Sequence, residues 1–176
     1  MNLYTNQKKE IKIRWHKPPL KWFKLKIDGA FDCKSNIGGI AGLFRDHNGD
    51  WITGYGCKCF ANSPLHAELL ALDHGLQVAI NRNLQPLEIE IDSTDVIKAL
   101  SIGNDTYSSL ISSCRWLLSQ LQNILIRHSF REGNHAAHLL AKEASKMSHL
   151  NVRKNYAISP TSVVHQLSLD KSSTMF

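Results

Sequence analysis

Three carboxylates stand where a carboxylate is costly. Asp28 lies inside an alternating run, flanked by Ile27 and Gly29. Glu68 lies three residues after Leu65 and four before Leu72, so it borders the apolar stripe of a leucine-rich segment. Asp92 follows the apolar run Leu87–Ile91 on the same side as Glu90. A buried carboxylate needs donors or a compensating cation. Taken singly, each could be a helix cap or half of a local salt bridge. Taken together, they fall on the first strand, first helix and fourth strand of the pattern described next and converge on one sheet edge. Lys26 is the one cation beside them in sequence, so a hard divalent cation is their natural partner.

The elements that must position them follow from periodicity. Lys24–Phe31 alternates as a strand, with Leu25, Ile27, Gly29 and Phe31 on one side and Lys24, Lys26, Asp28 and Ala30 on the other. Gly38–Arg45 and Trp51–Phe60 flank Asn48-Gly49, a hairpin-turn pair. From Pro64, with Ser63 as N-cap, Leu65, Leu69, Leu72, Leu76 and Ala79 recur at helical spacing. Leu87–Ile91 is a short strand, and Asp92 or Ser93 caps a short helix to Leu100. Tyr107–Leu121 carries a clean apolar stripe, Ile124–Phe130 is a fifth strand, and Asn134 caps a last helix over Ala137–Met147. The order β-β-β-α-β-α-α-β-α predicts a mixed α/β fold: a five-stranded sheet, antiparallel in its first three strands and parallel in its crossovers, with helices on its faces. Residues 1–21 read as a basic leader ending in Lys17-Pro18-Pro19, 22–147 as the domain, and 148–176 as a tail with one packed turn around Val163–Leu169.

Other clusters are weaker. His66-Ala67-Glu68 spells the H-x-E of zinc deaminases, but no P-C-x-x-C follows. Cys57-x-Cys59 lacks finger spacing and reads as structural thiols. His128, inside the fifth strand pattern, reads as a core or surface histidine. Gly38, Gly39 and Gly42 do not form a dinucleotide fingerprint; they permit close backbone approach, within the sheet or to a nucleic acid.

The chain from about Trp22 to Met147 resembles the ribonuclease H type 1 domain, in the plant group of stand-alone proteins and non-LTR retrotransposon polyproteins. The resemblance rests on Lys26-Ile27-Asp28-Gly29-Ala30, Gly38-Gly39-Ile40-Ala41-Gly42, Ala67-Glu68-Leu69, Glu90-Ile91-Asp92-Ser93, Cys114-Arg115 and Arg131-Glu132-Gly133-Asn134, in order and at family spacing. It implies an endonuclease that hydrolyses the RNA strand of RNA–DNA hybrids with two Mg²⁺, one activating a water and one stabilising the leaving oxygen. Asp28, Glu68 and Asp92 match the first three ligands. The fourth family position, an Asp in the last helix, is His138 here. Related nucleases accept histidine there, and imidazole favours Mn²⁺ over Mg²⁺. Lys24, Lys26, Gly38, Gly39 and Asn134 are the expected nucleic-acid contacts. A module that binds hybrid or RNA without turnover, or a retroelement remnant, is the alternative that His138 leaves open.

Composition agrees with a folded, nucleic-acid-facing domain. The 176 residues are 43% hydrophobic and 20% charged, which excludes wholesale disorder. No apolar run reaches the roughly 18 residues of a membrane span. The net charge of +6 is concentrated before residue 25, where Lys8, Lys9, Lys12, Arg14, Lys17, Lys21 and Lys24 face only Glu10. Such a leader can hold phosphate backbone or serve as a solvated linker. Without an apolar signal segment, and with four unpaired-looking cysteines, the expectation is a monomer of the nucleus or cytoplasm, not secreted and not membrane-bound.

Overall fold

The computed structural model describes residues 15–172; the leader cations Lys8, Lys9, Lys12 and Arg14 lie outside them. Three strands open the chain, β1 (Phe23–Asp32), β2 (Ile37–Arg45) and β3 (Trp51–Phe60). Then come α1 (Pro64–Asn81), β4 (Leu87–Ile91), α2 (Thr94–Ile102), α3 (Ser108–Gln120), β5 (Ile124–His128) and α4 (His135–Ala144). A short strand β6 (Lys154–Tyr156) and helix α5 (Thr161–Ser172) close it. The sheet order is β5-β4-β1-β2-β3-β6. β1–β2 and β2–β3 pair antiparallel, while β4 joins β1 and β5 joins β4 in parallel.

The caps follow the sequence. The Ser63 side chain accepts from His66 N at 3.0 Å and starts α1. Ser93, rather than Asp92, does the same for α2 through Val96 N. This leaves the Asp92 carboxylate free of capping duty.

Two cores sandwich the sheet. On one face Leu25, Ile27, Tyr55 and Cys57 pack under α1, α2 and α3, with Leu69, Leu72, Leu76, Ile111 and Leu117. On the other, Ala41 and Leu43 meet Ala137, Leu140 and Ala141 of α4, Tyr156 of β6 and Val163 of α5. The small residues of β2 are explained here. A Cβ on Gly39 would lie 2.1 Å from Ala141 O, so α4 can cross β2 only over glycine. Among the described residues no helix is long and apolar enough to cross a membrane.

The segment after residue 147 differs from the expected tail. It adds a sixth strand, antiparallel on β3, and a full helix in place of one packed turn. The leader differs as well: ordered packing begins before Trp22, since Trp15 is buried. One residue joins the two ends. Arg45, 1% exposed, donates to Asp170 Oδ2 at 2.9 Å and Leu167 O at 3.0 Å, and its guanidinium lies 4.3 Å from the centre of the Trp15 ring. Burying a guanidinium is costly unless it is paired. Asp170→Ala should therefore destabilise the protein by about 3 kcal/mol or more, read as a lowered urea midpoint; an unchanged midpoint would mean that α5 does not hold Arg45 in solution.

Candidate metal and nucleic-acid site

β1 and β4 carry their charges on the same face, because side chains repeat every second residue. Their parallel register sets Lys24 beside Glu88 and Lys26 beside Glu90. Two residues further on, the same alternation brings up Asp28 and Asp92, a rung with no cation. α1 supplies the third carboxylate. Its first turn crosses β1 so closely that a Cβ on Gly29 would lie 2.6 Å from Ala67 C. This approach lets Gly29 N donate to Glu68 Oε1 at 3.1 Å. Asp28, Glu68 and Asp92 each offer an oxygen within 4.8 Å of the others, and among the described residues no other group of three or more potential ligands gathers so.

His138 reaches this group through one member. Its Nδ1 lies 3.0 Å from Asp28 Oδ2, while the side chain is otherwise half exposed. It borders the site as a partner of Asp28 and is not within the mutual reach of the three carboxylates.

The electrostatics show what the cluster lacks. Glu68 Oε2 is buried and receives no hydrogen bond. Burial first, and then the neighbouring charges of Asp28 and Asp92, push the Glu68 carboxyl up to about 9. Asp28 is raised too, chiefly by burial, against the opposing hydrogen bond from His138. An all-oxygen donor set with an unsatisfied buried oxygen and excess negative charge fits a hard divalent cation. Asp28, Glu68 and Asp92 are the residues that would hold it.

The expected nucleic-acid contacts are placed as follows. Lys24 bonds Glu90 and, at 2.5 Å, His16 O; Lys26 bonds Gly133 O and lies 2.7 Å from Glu90 Oε2. Both lysines are almost wholly buried, so their charge is spent inside the protein. Gly39 sits under α4, against Ala141 and Ser145, and Gly38 faces Ala61 and Cys59 on the other side of the sheet, so in both the close approach is to other protein atoms. Asn134 occupies the N-cap position of α4 but makes no capping bond; instead its Nδ2 donates to Ile27 O at 2.8 Å, inside the fold. It pins the start of α4 beside Asp28. Periodicity alone does not point to Arg131, His135 or Asp95, which also border the carboxylates. Their signal was position in sequence, beside Asn134, His138 and Asp92.

A carboxyl whose folded pKa is raised gives stability that is complete below its unfolded value, near 4.5, and is lost as pH climbs toward the folded value. Without divalent cations, the melting temperature should fall between pH 5 and pH 8. Glu68→Gln should flatten that fall, and Mg²⁺ or Mn²⁺ should raise the melting temperature more at pH 8 than at pH 5. Thermal melts at both pH values, with and without metal, measure this; a metal effect independent of pH would exclude a raised carboxyl at the binding site.

Comparison with known proteins bears on the whole arrangement. The reverse transcriptase-like family matches residues 26–144. A curated Arabidopsis thaliana protein named "putative ribonuclease H protein" is 30% identical over 147 residues, covering 82% of this chain and 24% of that protein. The chain thus spans about a quarter of the length of the curated relative it matches. Among solved structures, ribonuclease H1 of the archaeon Halobacterium salinarum superposes with a TM-score of 0.64 at 23% identity, over 69% of this chain and 96% of that one. The N-terminal ribonuclease H domain of a Mycobacterium tuberculosis protein gives 0.63 at 20% identity, over 70% and 92%. A ribonuclease H1 solved in complex with RNA/DNA hybrid gives 0.61 at 18%, over 69% and 95%. At these identities the structures establish a common fold, and the family match runs from within β1 to the end of α4. The chain belongs to the reverse transcriptase-like family, and its domain has the ribonuclease H fold.

Proposed function

We propose that this chain is a ribonuclease H-type endonuclease that hydrolyses the RNA strand of RNA–DNA hybrids with divalent cations held by Asp28, Glu68 and Asp92. The observation that carries this reading is the trio of carboxylates within 4.8 Å of one another, in a chain of this family. The hybrid found with a structural neighbour and the name of the Arabidopsis relative support the substrate class. When bound, the metal supplies activation of the attacking water and neutralisation of charge at the scissile phosphate.

The chain's own residues do the positioning. Gly29 N fixes one oxygen of Glu68 and leaves the other directed at its neighbours without a donor. His138 Nδ1, as the donor tautomer, holds Asp28 Oδ2 and so sets the plane of that carboxylate. Asn134 ties α4 to Ile27 O, one residue before Asp28, which keeps His138 in reach. Recognition of a hybrid in this fold rests on 2′-OH and phosphate contacts, without base readout.

His138 also favours a second reading, a module that binds hybrid without cutting it. It brings one nitrogen lone pair where the family pattern brings a carboxylate, and a neutral ring leaves the site one negative charge poorer. Cleavage assays on labelled hybrid, with RNA and DNA duplexes as controls, separate the two. We expect cleavage of the hybrid alone, weaker in Mg²⁺ than in Mn²⁺, and its loss in Asp92→Asn. His138→Ala, which removes the partner of Asp28, should lower activity about 10–100-fold. His138→Asp should raise Mg²⁺-dependent cleavage by restoring an anionic oxygen. Binding of hybrid with no cleavage in either metal, in the parent and in His138→Asp, would establish the binding module.

A further inference from the structure

α4 covers the sheet face over β1, β2 and β3 and leaves β4 and β5 open on that side. The opening is a groove of about 610 Å³, within the roughly 300–1,000 Å³ that hold small ligands. Its floor is charged and buried: Lys24, Lys26, Glu88 and Glu90 are all at least nine-tenths buried, and all line it. It is also lined by Arg127, His128 and Phe130, of β5 and the residues after it, and by Lys17.

The groove adjoins the carboxylates. His128 Nε2 lies 3.3 Å from the backbone oxygen of Asp92. The turn Arg131–Asn134 divides the two spaces: Gly133 borders the groove, and Arg131 and Asn134 border the carboxylates. A strand leaving the carboxylates past this turn would enter the groove directly.

We propose that the groove binds a nucleotide of the single strand that continues from the hybrid beyond the scissile site, with its base on Phe130 and its phosphate on Arg127. This rests on the hybrid-nuclease reading above and adds a second subsite to it. Phe130 is 59% exposed and, unlike the similarly exposed Phe60 and Trp116, borders the groove. His128 makes a T-shaped contact with it, with centroids 5.5 Å apart and planes at 76°. Stacking on an aromatic ring suits every base. Arg127 pairs through Nε with Glu88 Oε1 at 3.2 Å, and its side chain is 59% exposed, which leaves guanidinium donors accessible to a phosphate. Lys17 adds a second cation to the lining. Aromatic ring, flanking cations and a phosphodiester-cleaving site next door fit a nucleic-acid strand better than a peptide, for which the buried ion-paired floor offers no apolar anchor.

The test is hybrid binding by fluorescence anisotropy in the Asp92→Asn background, which leaves the substrate uncut. The probes are a blunt hybrid and the same hybrid extended by a short single strand, RNA or DNA, at either end. One extension should tighten binding roughly tenfold, and the RNA and DNA arms identify which strand occupies the groove. Phe130→Ala and Arg127→Ala should each remove that gain and leave affinity for the blunt hybrid unchanged. Both side chains are exposed, and circular dichroism confirms that the variants fold. If the blunt hybrid binds and no extension helps, or if the gain survives both substitutions, the groove is not a strand site while the nuclease reading stands. If the blunt hybrid does not bind at all, the nuclease reading falls and the groove proposal with it.

Discussion

The mutual repulsion of three carboxylates in a poorly hydrated corner is the constraint around which this domain is organised. Asp28, Glu68 and Asp92 come within 4.8 Å because a helix crosses a strand at glycine: any side chain at Gly29 would strike the α1 backbone at Ala67. The contact fixes Glu68 by a main-chain hydrogen bond, so the carboxylate cannot swing out to water to escape its neighbours. Folding offsets this cost with two apolar layers, one on each face of the sheet. The corner is left with an affinity for a cation or a proton, and which of the two it holds depends on metal and pH.

The same sheet face shows how charge is managed on the way to that corner. Lys24 with Glu88 and Glu90, and Lys26 with Glu90, form an ion-paired network across β1 and β4. Asp28 and Asp92 continue the pattern without a cation. The change from paired to unpaired takes two residues, one repeat of a strand. Lys26 contributes to both sides of the change: it neutralises Glu90 and binds Gly133 O in the turn that leads into α4. Burial lowers its own pKa against the pull of Glu90, so its place depends on that partner. The ion pairs thus separate an acidic site from a charged groove and fix the turn between them.

Arg45 plays the corresponding part at the far end of the sheet. A cation buried there draws Asp170 and Leu167 of α5 on one side and the Trp15 ring on the other. Segments on both flanks of the family-matched stretch 26–144 are thereby packed onto the domain. α5 and β6 extend the second core beyond α4 through Val163 and Tyr156, which supports α4 from behind and with it His138 and Asn134.

Much of this was legible in the residues. Alternation in Lys24–Phe31 separated the apolar face from the charged one. Asn48-Gly49 marked the hairpin, with Gly49 at a φ of 82°, and Ser63 marked the start of α1. The three carboxylates stood out because each interrupts an apolar pattern. These features are local: side-chain period, turn stereochemistry and capping act over a few residues and can be read there. What the tertiary structure decided involves partners distant in sequence. Lys24 and Lys26 point along the face predicted for them, but the register of β4 against β1, some sixty residues away, turned them from candidate phosphate contacts into buried ion pairs. Asn134 stands at the predicted cap position, yet its side chain goes to Ile27 O because α4 docks beside β1. α5 gave little periodic signal because Val163 is the one residue it buries fully, and its polar anchors, Arg45 for Asp170 and Glu143 for Ser162, lie on other elements. The sequence determined the apolar faces and the carboxylates that would be costly; only the packing of separate elements decided that Lys24, Lys26 and Asn134 would be buried and which partner each received, because ion pairs and close backbone contacts are chosen by three-dimensional register and not by local pattern.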